Sequence, residues 1–221
     1  YEFPDAFIET EWGFDLVVMN PPWDVVKPED DDFFSNLSPG FRRIKSKPEK
    51  RKVMEKLLLD PAAKAAYLDY RKKIEQRINF YRSSEYSLRG SGDTNLWKLF
   101  MERGMRLLAK GGTLSVVVPS GIITDEGGKP LREKLFEGKI RGIFEFENKR
   151  GIFPDVHRSY KFALLFWDKD EPVPVFPAAF YLQDVRALEG KAEQEKFLEM
   201  PMELVRICAP DSLSIPEVRN Q

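Results

Sequence analysis

Apolar positions along this chain fall into two recurring patterns. Short, mostly apolar runs, Phe14–Met19 and Thr113–Val118, read as buried strands; in the first, Leu16 to Met19 is continuous, where a half-exposed strand would alternate. Ile140–Phe146 and Tyr160–Trp167 read as two more strands. Helical spacing fills the stretches between. From Glu49 to about Ser83, Leu57, Leu58, Tyr67, Leu68, Ile74, Ile78 and Tyr81 recur among dense charges. Pro61 divides that stretch into two helices, and Asp60 is a natural cap for the second. Asp93 or Thr94 is expected to cap a helix from Asn95 to about Ala109, with Leu96, Leu99, Phe100 and Leu107 on its apolar face and Gly111-Gly112 ending it. Pro130 marks the start of a helix over residues 129–136. Strands alternating with helices predict an α/β fold. Past Glu171-Pro172-Val173-Pro174 the pattern breaks, and the tail reads as a charged helical stretch, Asp184 to Leu198, followed by proline-punctuated segments.

One strand ends abruptly. Phe14-Asp15-Leu16-Val17-Val18-Met19 runs into Asn20-Pro21-Pro22-Trp23. Neither proline can donate to a ladder and each fixes φ, so the strand stops there. Asn20 precedes proline and is held extended, its side chain at the carboxyl end of the strand. Open α/β sheets bind ligands at that end. The Asn20 side-chain oxygen and the Pro21 carbonyl can each accept one N–H from a conjugated NH2 group, holding its nitrogen nearer tetrahedral with the lone pair aimed at an incoming methyl. Trp23 offers a stacking face, a contact type worth roughly 1–3 kcal/mol per base. This is positioning and electrostatics rather than covalent catalysis. The alternative is a turn that merely ends a strand.

A second stretch combines cations with an aromatic: Asn148-Lys149-Arg150-Gly151-Ile152-Phe153-Pro154-Asp155-Val156-His157-Arg158-Ser159-Tyr160-Lys161. Lys149, Arg150, Arg158 and Lys161 are candidates for phosphate contacts, which give affinity without sequence information. Phe153 is either a stacking residue or core, and the cations are either phosphate ligands or a solvated tip.

Composition narrows the classes. The 221 residues are 42% hydrophobic with a formal net charge of −1, too apolar for a disordered chain. No apolar run approaches the ~20 residues of a membrane span. One cysteine, Cys208, allows no internal disulfide and points to a reducing, cytoplasmic setting. One cysteine and one histidine make no zinc site of the usual kinds, and no metal is expected. Near-neutral charge conceals local clusters. Glu29 to Asp32 is acidic, Arg42-Arg43-Ile44-Lys45-Ser46-Lys47 is basic, and the second helix of the charged stretch carries Arg71, Lys72, Lys73 and Arg77. That helix is a basic arm over nucleic acid or an ordinary solvated face.

Phe-Asp-Leu-Val-Val-Met-Asn-Pro-Pro-Trp resembles the catalytic motif of amino-group methyltransferases that use S-adenosylmethionine, with Asn in first place as in the adenine-N6 DNA enzymes. Residues 92–103 are similar to the helix that follows in that family, residues 107–120 to its next strand, and Gly151-Ile152-Phe153-Pro154 with residues 160–166 to its last motif and strand. The likeness is to the large Eco57I-type enzymes of restriction-modification and phage defence, over about positions 10–170. It implies a partial Rossmann-like methyltransferase sheet, with the last two strands an antiparallel pair at one edge. It implies further that Asn20, Pro21, Pro22 and Trp23 are catalytic, that Trp23 and Phe153 hold a flipped-out adenine of double-stranded DNA, and that S-adenosylmethionine is the cofactor.

The family's cofactor loop, a glycine-rich turn after its first strand, has no counterpart here. Nineteen residues precede Asn20, and they hold one glycine, Gly13. Asn20 is thus the one cofactor-facing residue expected in this chain, and Tyr1 at the start fits a fragment. The expected organisation is the second half of a catalytic core over residues 1–170, interrupted by a charged helical insertion at 24–92, with an extension at 171–221 leading towards a further region. Its partners would be duplex DNA and the remaining parts of the same polypeptide. Such a fragment is expected to be inactive alone. Two alternatives stand beside this reading: methylation of a protein glutamine or RNA guanine, and a non-catalytic DNA-binding segment.

Overall fold

The computed structural model describes residues 12–190 and 197–219. Helices α1 (Asp30–Leu37), α2 (Lys47–Leu57) and α3 (Pro61–Tyr81) precede α4 (Leu96–Leu107), α5 (Gly121–Thr124), α6 (Lys129–Phe136) and α7 (Met202–Cys208). The strands are β1 (Phe14–Met19), β2 (Leu108–Pro119), β3 (Lys139–Glu147), β4 (Lys161–Asp168), β5 (Val175–Leu182) and β6 (Leu198–Pro201). The chain divides into two compact units, Tyr1–Asp24 with Tyr86–Gln221, and Val25–Glu85.

The larger unit is α/β, as the sequence pattern predicts. Its sheet has the order β1-β2-β4-β3-β5-β6. β1 and β2 are parallel, β4 runs antiparallel to both β2 and β3, β3 and β5 are parallel, and β6 is antiparallel to β5. The carboxyl ends of β1, β2, β3 and β5 therefore share one end of the sheet. Helices α4 to α7 bury onto one face. Met101, Ile123, Leu131, Leu135 and Val205 meet Leu114, Val118, Ile143, Ala163 and Leu165 there, and all are fully buried. At about 1.5–3 kcal/mol for each large apolar side chain, this layer is the main source of stability. The other face carries a second cluster of Phe144, Phe146, Phe162 and Ala179, packed by loop residues that include Trp23 and Phe153.

Several sequence expectations change. β1 is parallel, but it lies at an edge of the sheet rather than in a buried layer. Val17 and Met19 turn to the helical face, whereas Leu16 and Val18 are 57% and 69% exposed. They point to the other face, where no helix of this unit packs among the described residues. Gly111-Gly112 does not end the helix. α4 stops at Leu107, and the pair lies within β2, where Gly111 takes φ +78° and donates its N–H to the Lys169 carbonyl at 2.8 Å, while the Gly112 carbonyl accepts the Lys169 N–H at 2.9 Å. Asn95, not Asp93 or Thr94, is the cap residue of α4.

The antiparallel pair β3–β4 is not at an edge. The segment expected to lead away from the core returns to it as β5 and β6. Pro177 lies one residue before the ladder to β3 starts at Ala178, and on its other side is paired with Glu199 of β6. Of the expected helix from Asp184, the described part is a single 3₁₀ turn, Val185–Leu188; residues 191–196 lie outside the described residues, and Leu198 already belongs to β6.

The smaller unit builds its own core from Phe34, Phe41 and Tyr67, packed by Phe33, Ile44, Val53, Met54, Leu57 and Tyr70. Asp60 caps α3 as expected, accepting from the Ala62 and Ala63 N–H groups at 3.2 and 3.3 Å.

Candidate functional site

The site grows from the end of β1. Asn20 follows the strand directly, is exposed, and forms no side-chain hydrogen bond with any described residue. Pro21 is buried and Pro22 exposed. The chain then crosses the carboxyl end of β2 to reach β4, where the Trp23 ring stacks on Phe162 with centroids 6.1 Å apart. The Asp24 carbonyl accepts the Leu96 N–H at 2.9 Å, tying the motif's exit to the start of α4. The Trp23 indole N–H is buried without a partner. A buried donor of this kind costs about 1–3 kcal/mol.

Phe153 comes to the same place from 130 residues away in sequence. Its ring meets Trp23 edge-on at 5.5 Å and 77°, and Phe162 at 4.8 Å and 75°. The two rings proposed to hold a base are thus in mutual contact. A flat base between them would need parallel faces about 7 Å apart, twice a normal carbon contact distance, so base capture requires them to part.

The residue that presents Phe153 was missed by the sequence reading. Asn148 is fully buried at the end of β3. Its side-chain NH2 donates to the Phe153 and Val156 carbonyls at 2.9 and 2.8 Å, and its oxygen accepts the Phe153 N–H at 2.9 Å. Its backbone N–H closes the loop on the Tyr160 carbonyl at 2.9 Å. The available signal was an Asn directly after an apolar strand and three residues before a glycine; Gly151 takes φ +72° there, in the left-handed region.

The four candidate cations separate. Lys149 pairs with Glu147 at 2.9 Å and Arg150 with Asp184 at 3.7 Å, both more than half exposed. Among the described residues Arg158 reaches only the Lys149 carbonyl, at 3.3 Å. Surface pairs of this kind are worth about 0–1 kcal/mol and yield readily to another anion. Lys161 is different. It faces the helical side of the sheet and is held by Glu145 at 3.0 Å and Glu217 at 2.5 Å, with its ammonium over the Tyr181 ring. The Glu217 carboxylate already neutralises it and Glu145 accepts its remaining hydrogen bonds, so it is not free to meet a phosphate in this arrangement. Burial pushes the Glu145 carboxyl up to about 7, partly opposed by its bond to Lys161.

The described residues do not build a cradle for S-adenosylmethionine. The turn after β1 contains no glycine, and the turn after β2 leads into the four-residue α5. Gly111-Gly112 lies in the first half of β2, away from the carboxyl end that holds Asn20.

Residues 67–153 match the family model described as Eco57I restriction-modification methylase. The match runs from α3 to Phe153 and does not include Asn20–Trp23. No curated protein matches the chain. Among solved structures, the methyltransferase subunit of the type I restriction-modification system from Streptococcus thermophilus is similar over 96% of this chain and 39% of its own, at 15% identity and TM-score 0.51. A component of a type I restriction-modification complex studied for its assembly and conformational transition is similar over 96% of this chain and 38% of its own, at 15% identity and the same TM-score. At such identities the likeness is one of fold, and this chain spans about two-fifths of either structure. Residues 67–153 thus match the Eco57I restriction-modification methylase model, and the fold of the chain is similar to that of a type I methyltransferase subunit.

Proposed function

We propose that this chain forms the acceptor side of a DNA adenine-N6 methyltransferase of the restriction-modification or defence type. The observation that carries the reading is the convergence at one end of the sheet: an exposed Asn20 at a strand terminus, its side chain without a hydrogen bond to the described residues, with Trp23 and Phe153 brought together beside it. The adenine amino group is paired and stacked inside a duplex, so the base must be flipped out to reach Asn20. The Asn20 side-chain oxygen and the Pro21 carbonyl accept the two N–H bonds of the amino group. Trp23 and Phe153 hold the ring once it has parted them. Lys149, Arg150 and Arg158 on the Phe153 loop contact phosphates.

S-adenosylmethionine, when bound, supplies the electrophilic methyl group. Its cradle belongs to a part of the protein other than the residues described. The far greater length of the similar structures supports that division.

The test is transfer of labelled methyl by the complete protein, offered duplex DNA, RNA and protein, followed by digestion and identification of the labelled product. Label in N6-methyladenine supports the reading. Label on a glutamine or on guanine in RNA overturns it in favour of another amino-group acceptor, and no transfer at all favours a non-catalytic DNA-binding segment.

A further inference from the structure

Charge is segregated along this chain in a way its net value of −1 hides. Residues 25–85 hold 15 Lys and Arg against 10 Asp and Glu, whereas the rest of the chain holds 20 against 26. The smaller unit is cationic and the larger one anionic. Within the smaller unit the acidic run is consumed locally. Asp30 accepts the Tyr67 hydroxyl at 2.7 Å, Asp31 pairs with Lys50, and Asp32 pairs with Arg42 at 2.6 Å. Asp69 pairs with Lys73, Glu55 with Arg51, and Asp60 caps α3. The cations left over, exposed and without an ion pair among the described residues, include Lys52 and Lys56 on α2, Lys64, Lys72 and Arg77 on α3, and Arg43 ahead of α2.

We propose that residues 25–85 are a phosphate-directed clamp for duplex DNA, which supplies sequence-independent affinity to the protein. The proposal rests on the reading of DNA as substrate. Surplus cations of this kind suit a polyanion with regularly spaced charge, because each neutralised phosphate releases condensed counterions. An anionic lipid surface fits less well. A helix lying in a membrane needs one continuous apolar face. The apolar face of α3 is turned inward, where Tyr67 and Tyr70 pack with Phe33 and Phe34. Its exposed apolar residues, Leu68 and Phe80, stand twelve positions and about 120° apart, so they share no face. The anionic larger unit explains why such a clamp is useful: without it the polypeptide described here would meet DNA with a charge of the same sign.

The experiment measures binding of the complete protein to a labelled duplex by fluorescence anisotropy across a salt series. The fourfold variant Lys52→Gln, Lys56→Gln, Lys72→Gln, Arg77→Gln should bind more weakly on every sequence. Its slope of log affinity against log salt should be shallower by up to about 3–4, at roughly 0.9 per lost phosphate contact. The variant Glu49→Gln, Glu75→Gln removes exposed anions from the same unit and should bind more tightly, which keeps the test open if the fourfold variant folds poorly. An unchanged slope in the first variant, or unchanged affinity in the second, overturns the clamp. Absence of duplex binding by the parent protein also overturns it, as does clamp-dependent binding to vesicles of phosphatidylserine and phosphatidylcholine without binding to DNA. Methyl transfer distinguishes the two proposals. Labelled N6-methyladenine with an unaltered salt slope removes the clamp alone, whereas a clamp-dependent slope with no transfer to DNA removes the catalytic reading alone.

Discussion

Asn148→Ala is the most informative single substitution outside the motif, because its effect can be worked out bond by bond. The side chain makes three hydrogen bonds of 2.8–2.9 Å, two donated to carbonyls and one accepted from the Phe153 N–H. Each contributes about 1 kcal/mol net, and a partner left buried and unpaired costs about 1–3 kcal/mol. The expected loss is about 2–4 kcal/mol. All four tryptophans, Trp12, Trp23, Trp97 and Trp167, lie outside residues 25–85, so tryptophan fluorescence during urea unfolding reports on the sheet unit. With a urea slope of about 1–3 kcal/mol per molar, the midpoint should fall by about 1 M or more. Asn148→Asp provides a sharper check. It keeps the acceptor for Phe153 but sets a carboxylate against two carbonyls, so at neutral pH it should be no better than Ala despite its matching shape. Cleavage within residues 149–159 under limited proteolysis should accelerate in both variants. A midpoint shift equivalent to less than about 0.5 kcal/mol, with cleavage unchanged, would refute the claim that Asn148 holds the Phe153 loop.

Further expectations follow from other parts of the larger unit. The Glu145 carboxyl is raised from 4.5 to about 7 by burial, so the folded state keeps a proton that the unfolded chain releases. Its stabilising contribution is complete below about pH 4.5 and is lost as pH rises through 7; Glu145→Gln should flatten unfolding midpoints between pH 5 and 7, and an unaltered profile would exclude this group as the cause. Gly90 has φ +71°, and a Cβ there would lie 2.0 Å from the Gly127 carbonyl oxygen, whereas Gly111 has φ +78° with no atom within 4 Å of its Cβ. Both Ala variants incur backbone strain of about 1 kcal/mol, but Gly90→Ala should lower the melting temperature clearly more; equal shifts would show that the loop moves aside freely. Calorimetry of this chain alone with S-adenosylmethionine should show no binding at micromolar to millimolar concentrations, and stoichiometric binding would mean that a cradle exists where none is described.

The strands and helices that carry the fold were legible because their apolar runs are long and their breakers unambiguous. Pro61 with Asp60, and Pro130 in the first turn of α6, mark helix starts where the structure has them. What misled was context. An unbroken run such as Leu16-Val17-Val18 looks the same in the middle of a parallel sheet as at its edge, since the difference lies in which neighbours cover it. Gly111-Gly112 reads as a helix stop when seen from α4, but the antiparallel partner that draws it into β2, Lys169, is nearly sixty residues away. Prolines at 172, 174 and 177 suggested an exit from the core, and the ladder that starts at Ala178 cannot be read locally. At the site, Asn20 and Trp23 were legible because proline fixes the strand end. The contact of Trp23 with Phe153 was anticipated only as two residues sharing one substrate, and the two carboxylates that hold Lys161 come from β3 and from residue 217, beyond any local pattern.

The central claim is that Asn20 acts on the methyl acceptor and not on the fold. The direct measurement is single-turnover methyl transfer to duplex DNA by Asn20→Ala in the complete protein, alongside DNA affinity and the unfolding midpoint. Asn20 is exposed and forms no side-chain hydrogen bond with the described residues, so stability should change by less than about 0.5 kcal/mol, as at an ordinary surface position. A hydrogen bond that matters only in the transition state lowers the rate and not the binding. By analogy with removal of an oxyanion-hole donor, the rate should fall at least ~100-fold, with affinity nearly unchanged. A variant that transfers methyl at the parent rate would contradict the account, and so would one that loses activity only because it no longer folds.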